Sequence, residues 1–315
     1  DLMEPDVDYK KMLLDVLTEQ IAGFYDQDAK ELYIMKGIPL ALQRPAMAHE
    51  IYHAIQDQHF DIKALTEAIS SRENGDFSLA RSALIEGDAT LLMVDFSLYE
   101  DGALPQEDAQ SVVDIPMMAN LLRRLSTTNL GTLQQMVPSS ATESEAISPG
   151  QISQSALSKA PRMVRKLLVF PYFGGLRFFI DARENSTWKA VNQVYDDPPV
   201  STEQILHPRR YFVDYDDPVR LTYDPAPVLE DFDEIYETVL GELQMRLILE
   251  EHLLDLDQPD PEVQKQLKAA AAGWDGDRLI AYENGEGRVL LVHVSVWDTF
   301  EDAGDHMSMT VSGRQ

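Results

Sequence analysis

The chain has 315 residues, 44% of them hydrophobic, and carries 26 basic against 54 acidic side chains for a net charge of −28. Phosphate binding needs a basic footprint, so this balance argues against nucleic acid as a partner. There is no cysteine, which rules out disulfides and thiolate zinc sites and leaves His, carboxylate and water as the only ligands for a metal.

The apolar content is enough for a substantial core, built as one large or two moderate domains. No apolar run reaches the length of a membrane span, and Asp1-Leu2-Met3-Glu4-Pro5-Asp6 lacks the features of a signal peptide. Met12, Leu13, Val16, Leu17 and Ile21 form a helical stripe at the start. Gly23-Phe24-Tyr25 and Glu31-Leu32-Tyr33-Ile34-Met35 then read as two strands around the turn-forming Asp26-Gln27-Asp28.

The next helix carries His49-Glu50-Ile51-Tyr52-His53, an H-E-x-x-H pattern. On a helix the two histidines lie one turn apart and can share a tetrahedral metal, with Glu50 beside them toward water at the metal. Pro45 sits near the helix start, where a missing N–H is harmless. Met47, Ile51, Ala54 and Ile55 recur at three and four, predicting a core-facing stripe offset from His49, His53 and Gln56.

Catalytic zinc usually has three protein ligands and one open position. Glu86, 86 − 53 = 33 positions after the second histidine, is the candidate third ligand. It lies in segment 83–94, apolar nearly all round as in a buried helix, where a carboxylate is costly unless paired or metal-bound. An ion pair with Arg81 is the alternative. Gly87 beside it weakens the helix by about 1 kcal/mol relative to Ala, which makes sense if another backbone or the metal site approaches closely.

The pair of motifs, with the wider strings His49-Glu50-Ile51-Tyr52-His53-Ala54-Ile55-Gln56-Asp57-Gln58-His59-Phe60 and Glu86-Gly87-Asp88-Ala89, resembles the gluzincin branch of the zincin metallopeptidases, and within it a bacterial and archaeal group. The likeness extends through Phe170-Pro171-Tyr172, Pro198-Pro199-Val200-Ser201-Thr202-Glu203-Gln204-Ile205-Leu206-His207-Pro208 and Gly273-Trp274-Asp275-Gly276-Asp277-Arg278, and so over most of the chain. It implies zinc held by His49, His53 and Glu86, with Glu50 as general base. It also implies that Tyr33 to Met35 form the cleft rim and offer backbone groups to an extended peptide, the competing reading being a plain core strand. The sequence departs from better-known gluzincins at Thr90, where an Asp often orients a zinc-bound His; Asp88 or Asp57 could take that task. His59 lies off the ligand face, in a supporting or surface role.

Further along, residues 106–129 are expected as a helix despite Pro116, and 127–158, rich in Ser, Thr, Gln and Gly, as a long loop. Segment 163–180 reads as two buried helices broken at Phe170-Pro171-Tyr172, with Gly174 and Gly175 allowing close packing. Residues 188–195 look helical, and the Asp clusters near 196 and 214–217 read as solvated turns, lacking the spacing of a calcium loop. Ser201 or Thr202 caps a short helix that ends at Pro208 and places His207 at its terminus. By analogy with gluzincins, His207, or Tyr211 in its place, would donate to the oxyanion of the tetrahedral intermediate, against a plain structural role. Phe232, Ile235, Tyr236, Val239, Leu240, Leu243, Leu247 and Leu254 predict one long amphipathic helix. Segments 277–282 and 288–296 form two strands around Asn284-Gly285-Glu286-Gly287.

The expectation is an α+β, zincin-like fold, mainly helical, with a small edge sheet and a C-terminal helix-plus-hairpin lobe. Residues 1–200 would form the metal-binding core and 201–315 a cleft-wall lobe, either separate or continuous with it. The expected function is zinc-dependent hydrolysis of peptide bonds in a peptide or protein substrate, without a covalent intermediate. The alternative is a catalytically silent zincin fold that binds a partner, against which an intact Glu50 counts; metal storage suits a lone site with an adjacent base poorly. The resemblance leans toward an extracytoplasmic setting.

Overall fold

The structure, a computed structural model, describes residues 8–20, 22–36, 39–68, 73–104, 111–125, 156–184, 186–222, 229, 231–255 and 260–312. Among them the architecture is mixed helix and sheet, an α+β arrangement in which helix predominates and both sheets are small and antiparallel. The chain divides into two compact units, Asp1–Leu65 with Ser82–Asp197, and Thr66–Arg81 with Pro198–Gln315. Segment 66–81 thus packs with the C-terminal unit although it precedes the division expected at 200/201.

The first unit opens with α1 (Tyr9–Gln20), the hairpin β1 (Gly23–Asp26) and β2 (Glu31–Ile34), and α2 (Leu40–Phe60). α3 (Ile62–Glu67) and α4 (Gly75–Glu100) follow; most of α4 lies in this unit, and its first turns belong to the second. Next come a 3₁₀ turn at Val112–Asp114, α5 (Pro116–Leu125), α6 (Ala156–Lys159), α7 (Arg162–Glu184) and α8 (Trp188–Asn192). Its core is built mainly from α4 and α7, through Ala83, Leu84, Ile85, Ala89, Leu176, Phe178, Phe179 and Ile180.

Three expectations change here, and Pro45, expected near the start of its helix, instead lies inside α2, which begins at Leu40. Segment 163–180 is part of one continuous helix, α7, which runs through Pro171. An interior proline costs about 3 kcal/mol, whereas burying each of Phe170, Leu176, Phe178, Phe179 and Ile180 contributes about 1.5–3 kcal/mol. Pro116 does not interrupt a helix but begins one, after a turn capped reciprocally by Ser111 and Asp114. The remainder of 106–129, at 106–110 and 126–129, lies outside the described residues, as does the loop expected over 127–158 except for its last three residues, which open α6.

The second unit contains α9 (Thr202–Leu206), α10 (Pro208–Phe212), β3 (Phe232–Thr238), α11 (Gly241–Leu253), α12 (Pro261–Ala271), β4 (Trp274–Asn284), β5 (Val289–Trp297) and α13 (Phe300–Ser312). The expected long helix over 232–254 is the third correction: its first part is β3, which pairs antiparallel with β4 from Phe232↔Asn284 to Thr238↔Leu279. Ile235, Tyr236 and Thr238 favour a strand once a partner supplies the ladder. Gly241 then turns the chain at φ +74, and a Cβ there would lie 1.8 Å from Asp76 Oδ1, so no other residue fits. β4 and β5 form the expected hairpin, and Leu249, Leu254, Leu267 and Ala270 pack as a core among the helices. No described helix is long and apolar enough to cross a membrane.

Candidate metal centre

α2 places its two histidines one turn apart and buries them, at 7% exposure for His49 and 8% for His53, with Gln56 at 1%. The apolar stripe expected to face the core does the opposite: Met47, Ile51 and Ile55 are 36%, 45% and 42% exposed. Periodicity located both stripes but not their direction. The polar face turns inward where His53 and Gln56 find hydrogen-bond partners behind it, which offsets the cost of burying them, while His49 Nδ1 is buried with no partner among the described residues.

That chain of partners starts at His53. Its Nδ1 lies 2.8 Å from Gln56 Oε1, and Gln56 Nε2 donates to the Ile85 carbonyl at 3.0 Å and to the Tyr195 hydroxyl at 2.8 Å. The Ile85 carbonyl can only accept, so the Gln56 amide is oriented with its oxygen toward His53. Nδ1 of His53 therefore carries the proton and Nε2 presents a lone pair. Tyr195 in turn donates to Asp88 Oδ2 at 2.6 Å, and Tyr52 donates to the same oxygen at 3.0 Å. Neither aspartate expected to orient a histidine does so directly: Asp88 stands behind Gln56, through Tyr195 and by a direct 3.5 Å contact with Gln56 Nε2, and Asp57 instead accepts from Tyr25 and Lys30. Thr90 is buried with no partner for its hydroxyl, and His59 is exposed.

α4 brings Glu86 to the same point. Its Oε2 lies 3.0 Å from His49 Nε2 and 3.4 Å from His53 Nε2, and the two ring nitrogens are 3.0 Å apart. Burial would raise the Glu86 carboxyl, but its contacts with His49 and His53 dominate and hold it down at about 2. For His53, burial works to lower the pKa and Glu86 outweighs it, leaving a net rise. Arg81, the alternative partner for Glu86, stacks over Phe77 with 4.6 Å to the ring centroid. The Glu86 side chain keeps 25% of its surface exposed, so the group is open on one side.

The close neighbour expected at Gly87 is Gly175 of α7: a Cβ at Gly87 would lie 2.2 Å from the Gly175 carbonyl carbon. This contact carries α7 past the site, and Tyr172, one turn earlier, places its ring 6.0 Å from that of His49 in a stacked arrangement. Burial and the carboxylates of Glu86 and Glu50 push the Tyr172 hydroxyl well above its ordinary value, so it stays protonated. No role for Tyr172 follows from the sequence alone; its signals there are its place in Phe170-Pro171-Tyr172, one of the strings that carry the family likeness, and its position three residues before Gly175.

Glu50 sits beside the histidines, with its Oε2 accepting the Tyr25 backbone N–H at 2.9 Å. Burial raises its pKa, which makes it a readier proton acceptor at neutral pH than an exposed carboxylate. His207 and Tyr211 belong to the second unit. There His207 Nε2 lies 2.9 Å from Glu242 Oε1, and Tyr211 packs edge-on against Phe212 at 4.7 Å.

His49, His53 and Glu86 could hold a metal ion. Bonds of about 2.0–2.1 Å in a tetrahedron put ligand atoms about 3.3–3.4 Å apart, close to the separations of 3.0, 3.0 and 3.4 Å found here. The donor set of two nitrogens and one oxygen also fits the open site of a catalytic zinc. Residues 229–310, a stretch that does not include His49, His53 or Glu86, match a family described as Domain of unknown function (DUF8575). No curated protein and no solved structure matches the chain.

Proposed function

We propose that the chain is a zinc-dependent peptidase with a zincin-like core, acting on a peptide or protein substrate. The observation that carries this reading is the convergence of His49 Nε2, His53 Nε2 and Glu86 Oε2 within 3.0–3.4 Å of one another, with Glu50 alongside and not among them. Zinc at these three atoms would polarise the scissile carbonyl and make water acidic enough to attack at neutral pH.

The residues divide the remaining work. Glu50, its carboxylate oriented by the Tyr25 amide, takes the proton from the attacking water and passes it to the leaving amine. Tyr172, protonated and set over His49, donates to the developing oxyanion. Gln56 keeps His53 in the tautomer that binds metal. The hairpin offers the edge of β2 to an extended peptide, and Phe24, Leu32, Tyr33 and Met35 beside it remain 38–46% exposed to meet apolar side chains.

Elemental analysis of purified protein should find about one zinc per chain, and a peptide library should be cleaved. Glu50→Gln should keep the zinc and lose most of the cleavage, because an amide cannot accept the proton. Stoichiometric zinc with no cleavage by the unaltered chain would favour a silent zincin fold that binds a partner.

A further inference from the structure

We propose a second metal site, for a calcium-type divalent cation, in the C-terminal unit at Glu203, Asp216 and Asp298. These residues are distant in sequence and are assembled by three separate ties. Ser201 caps α9 and fixes Glu203 in its first turn. Gln204 of the same helix donates to the Asp216 carbonyl at 2.7 Å, which draws the following loop against α9. The Asp298 amide donates to the Gly273 carbonyl at 2.8 Å, holding the end of β5 in place. One carboxylate oxygen from each residue then lies within 4.8 Å of the others, a spacing that bonds of about 2.3–2.6 Å to one shared ion can span.

An acidic cluster alone would carry no such inference; Glu203 supplies the second observation. It is 2% exposed, and its Oε1 is buried with no hydrogen-bond partner. A buried carboxylate oxygen without a partner is among the costliest groups a fold can hold. The strongest charged neighbour of Glu203 is Glu242, itself 2% exposed with its Oε2 buried and unpartnered, which adds to the negative field.

The local charge points to a divalent ion. Arg210 donates to Oδ2 of both Asp216 and Asp298; burial and Glu242 push the Glu203 carboxyl up to about 9, so an ion that displaces its proton meets three negative charges against one positive, and two remain. Since Arg210 occupies one oxygen on each aspartate, the second oxygen of each is left for a ligand. The side chains of Asp216 and Asp298 are 22% and 21% exposed, giving an ion a route from solvent to buried Glu203. All the donors are hard oxygens, which suit calcium and disfavour zinc, and calcium tolerates the irregular geometry better than magnesium does.

The test uses the full chain, stripped with chelator, reloaded with one equivalent of zinc and titrated with CaCl2 by calorimetry. Terbium luminescence, with Tyr215 and Trp297 adjacent in sequence as sensitisers, provides a second readout. One saturable calcium per chain is expected, bound equally well when His49 and His53 are replaced by Ala, so this result is independent of the peptidase reading. Glu203→Gln should weaken calcium binding at least tenfold. In chelator near pH 7 the same substitution should leave the Tm little changed, because burial and Glu242 push the Glu203 carboxyl up to about 9 and it carries no charge to remove. Asp298→Asn should weaken binding similarly. No saturable signal from the unaltered chain up to about 10 mM calcium, an order above the weakest extracellular calcium modules, would overturn the site, as would unchanged affinity in Glu203→Gln.

Discussion

Gly87 and Gly175 meet backbone to backbone where α4 passes α7. A Cβ on Gly175 would lie 1.9 Å from the Ala83 carbonyl oxygen and 2.7 Å from the Gly87 Cα. The contact is adjacent to Glu86 and one turn from Tyr172, so one close approach sets the position of a proposed ligand and of a proposed oxyanion donor.

Gly175→Ala should therefore damage both stability and the site. Overpacking a core typically costs about 1–3 kcal/mol, and because the obstacle here is backbone that cannot rotate away, the upper end, about 3 kcal/mol, is expected. Chemical denaturation measures the loss, and zinc content measured alongside should fall. A variant as stable as the parent would show that α4 and α7 do not depend on this contact.

Removing Glu86 should strip the metal. Glu86→Ala leaves two imidazoles, and elemental analysis after gel filtration should find little zinc; full occupancy would exclude Glu86 as a ligand. Gln56→Met tests the support behind His53, since loss of the oriented amide frees the ring to change tautomer. Partners of this kind are typically worth 10- to 100-fold in metal affinity, and competition with a chromogenic chelator would read that loss.

What was legible in the sequence was local. His49 and His53 could be paired because i, i+4 spacing on a helix fixes their separation, and Glu86 because a carboxylate in an apolar run needs a partner. The inward turn of the polar face of α2 was not legible, since it depends on Tyr195, 139 residues beyond Gln56. Phe232, Ile235, Tyr236 and Val239 satisfy helical spacing equally well, and only pairing with β4, 41 to 52 residues away, makes that segment a strand. The role proposed for Tyr172 was hidden for the same reason, because it depends on which helix crosses which.

The oxyanion donor can be located by kinetics. Tyr172→Phe should reduce kcat by about 10²- to 10³-fold with KM and zinc content little changed, the usual result of deleting one such donor. His207→Ala, which removes a ring held 2.9 Å from Glu242, and Tyr211→Phe should leave kcat near the parent value on the same peptide. If His207→Ala shows the large loss and Tyr172→Phe does not, the expectation drawn from family resemblance holds and Tyr172 only packs against His49.

Acidity should act in opposite directions on the metal-free and zinc-loaded chain. Without metal, burial tends to lower the His53 pKa but Glu86 raises it above the ordinary 6.5. A raised histidine contributes stability that is fully present below 6.5 and disappears as the pH rises through its folded-state value. Glu86 is held down from 4.5 to about 2, chiefly by His49 and His53 against the effect of burial. Its contribution is present above 4.5 and is lost as the pH falls toward about 2. The His53–Glu86 pair thus stabilises the metal-free chain most between about pH 4.5 and 6.5. Zinc needs the Nε2 lone pairs of His49 and His53, so protons compete with it and the stability it adds must grow as the pH rises. The Tm gain on adding zinc should be small at about pH 5.5 and large at about pH 8, while the metal-free Tm attributable to the pair moves the other way. An equal zinc-induced gain at both pH values would mean that these histidines are not displaced from their protons by the metal and do not bind it.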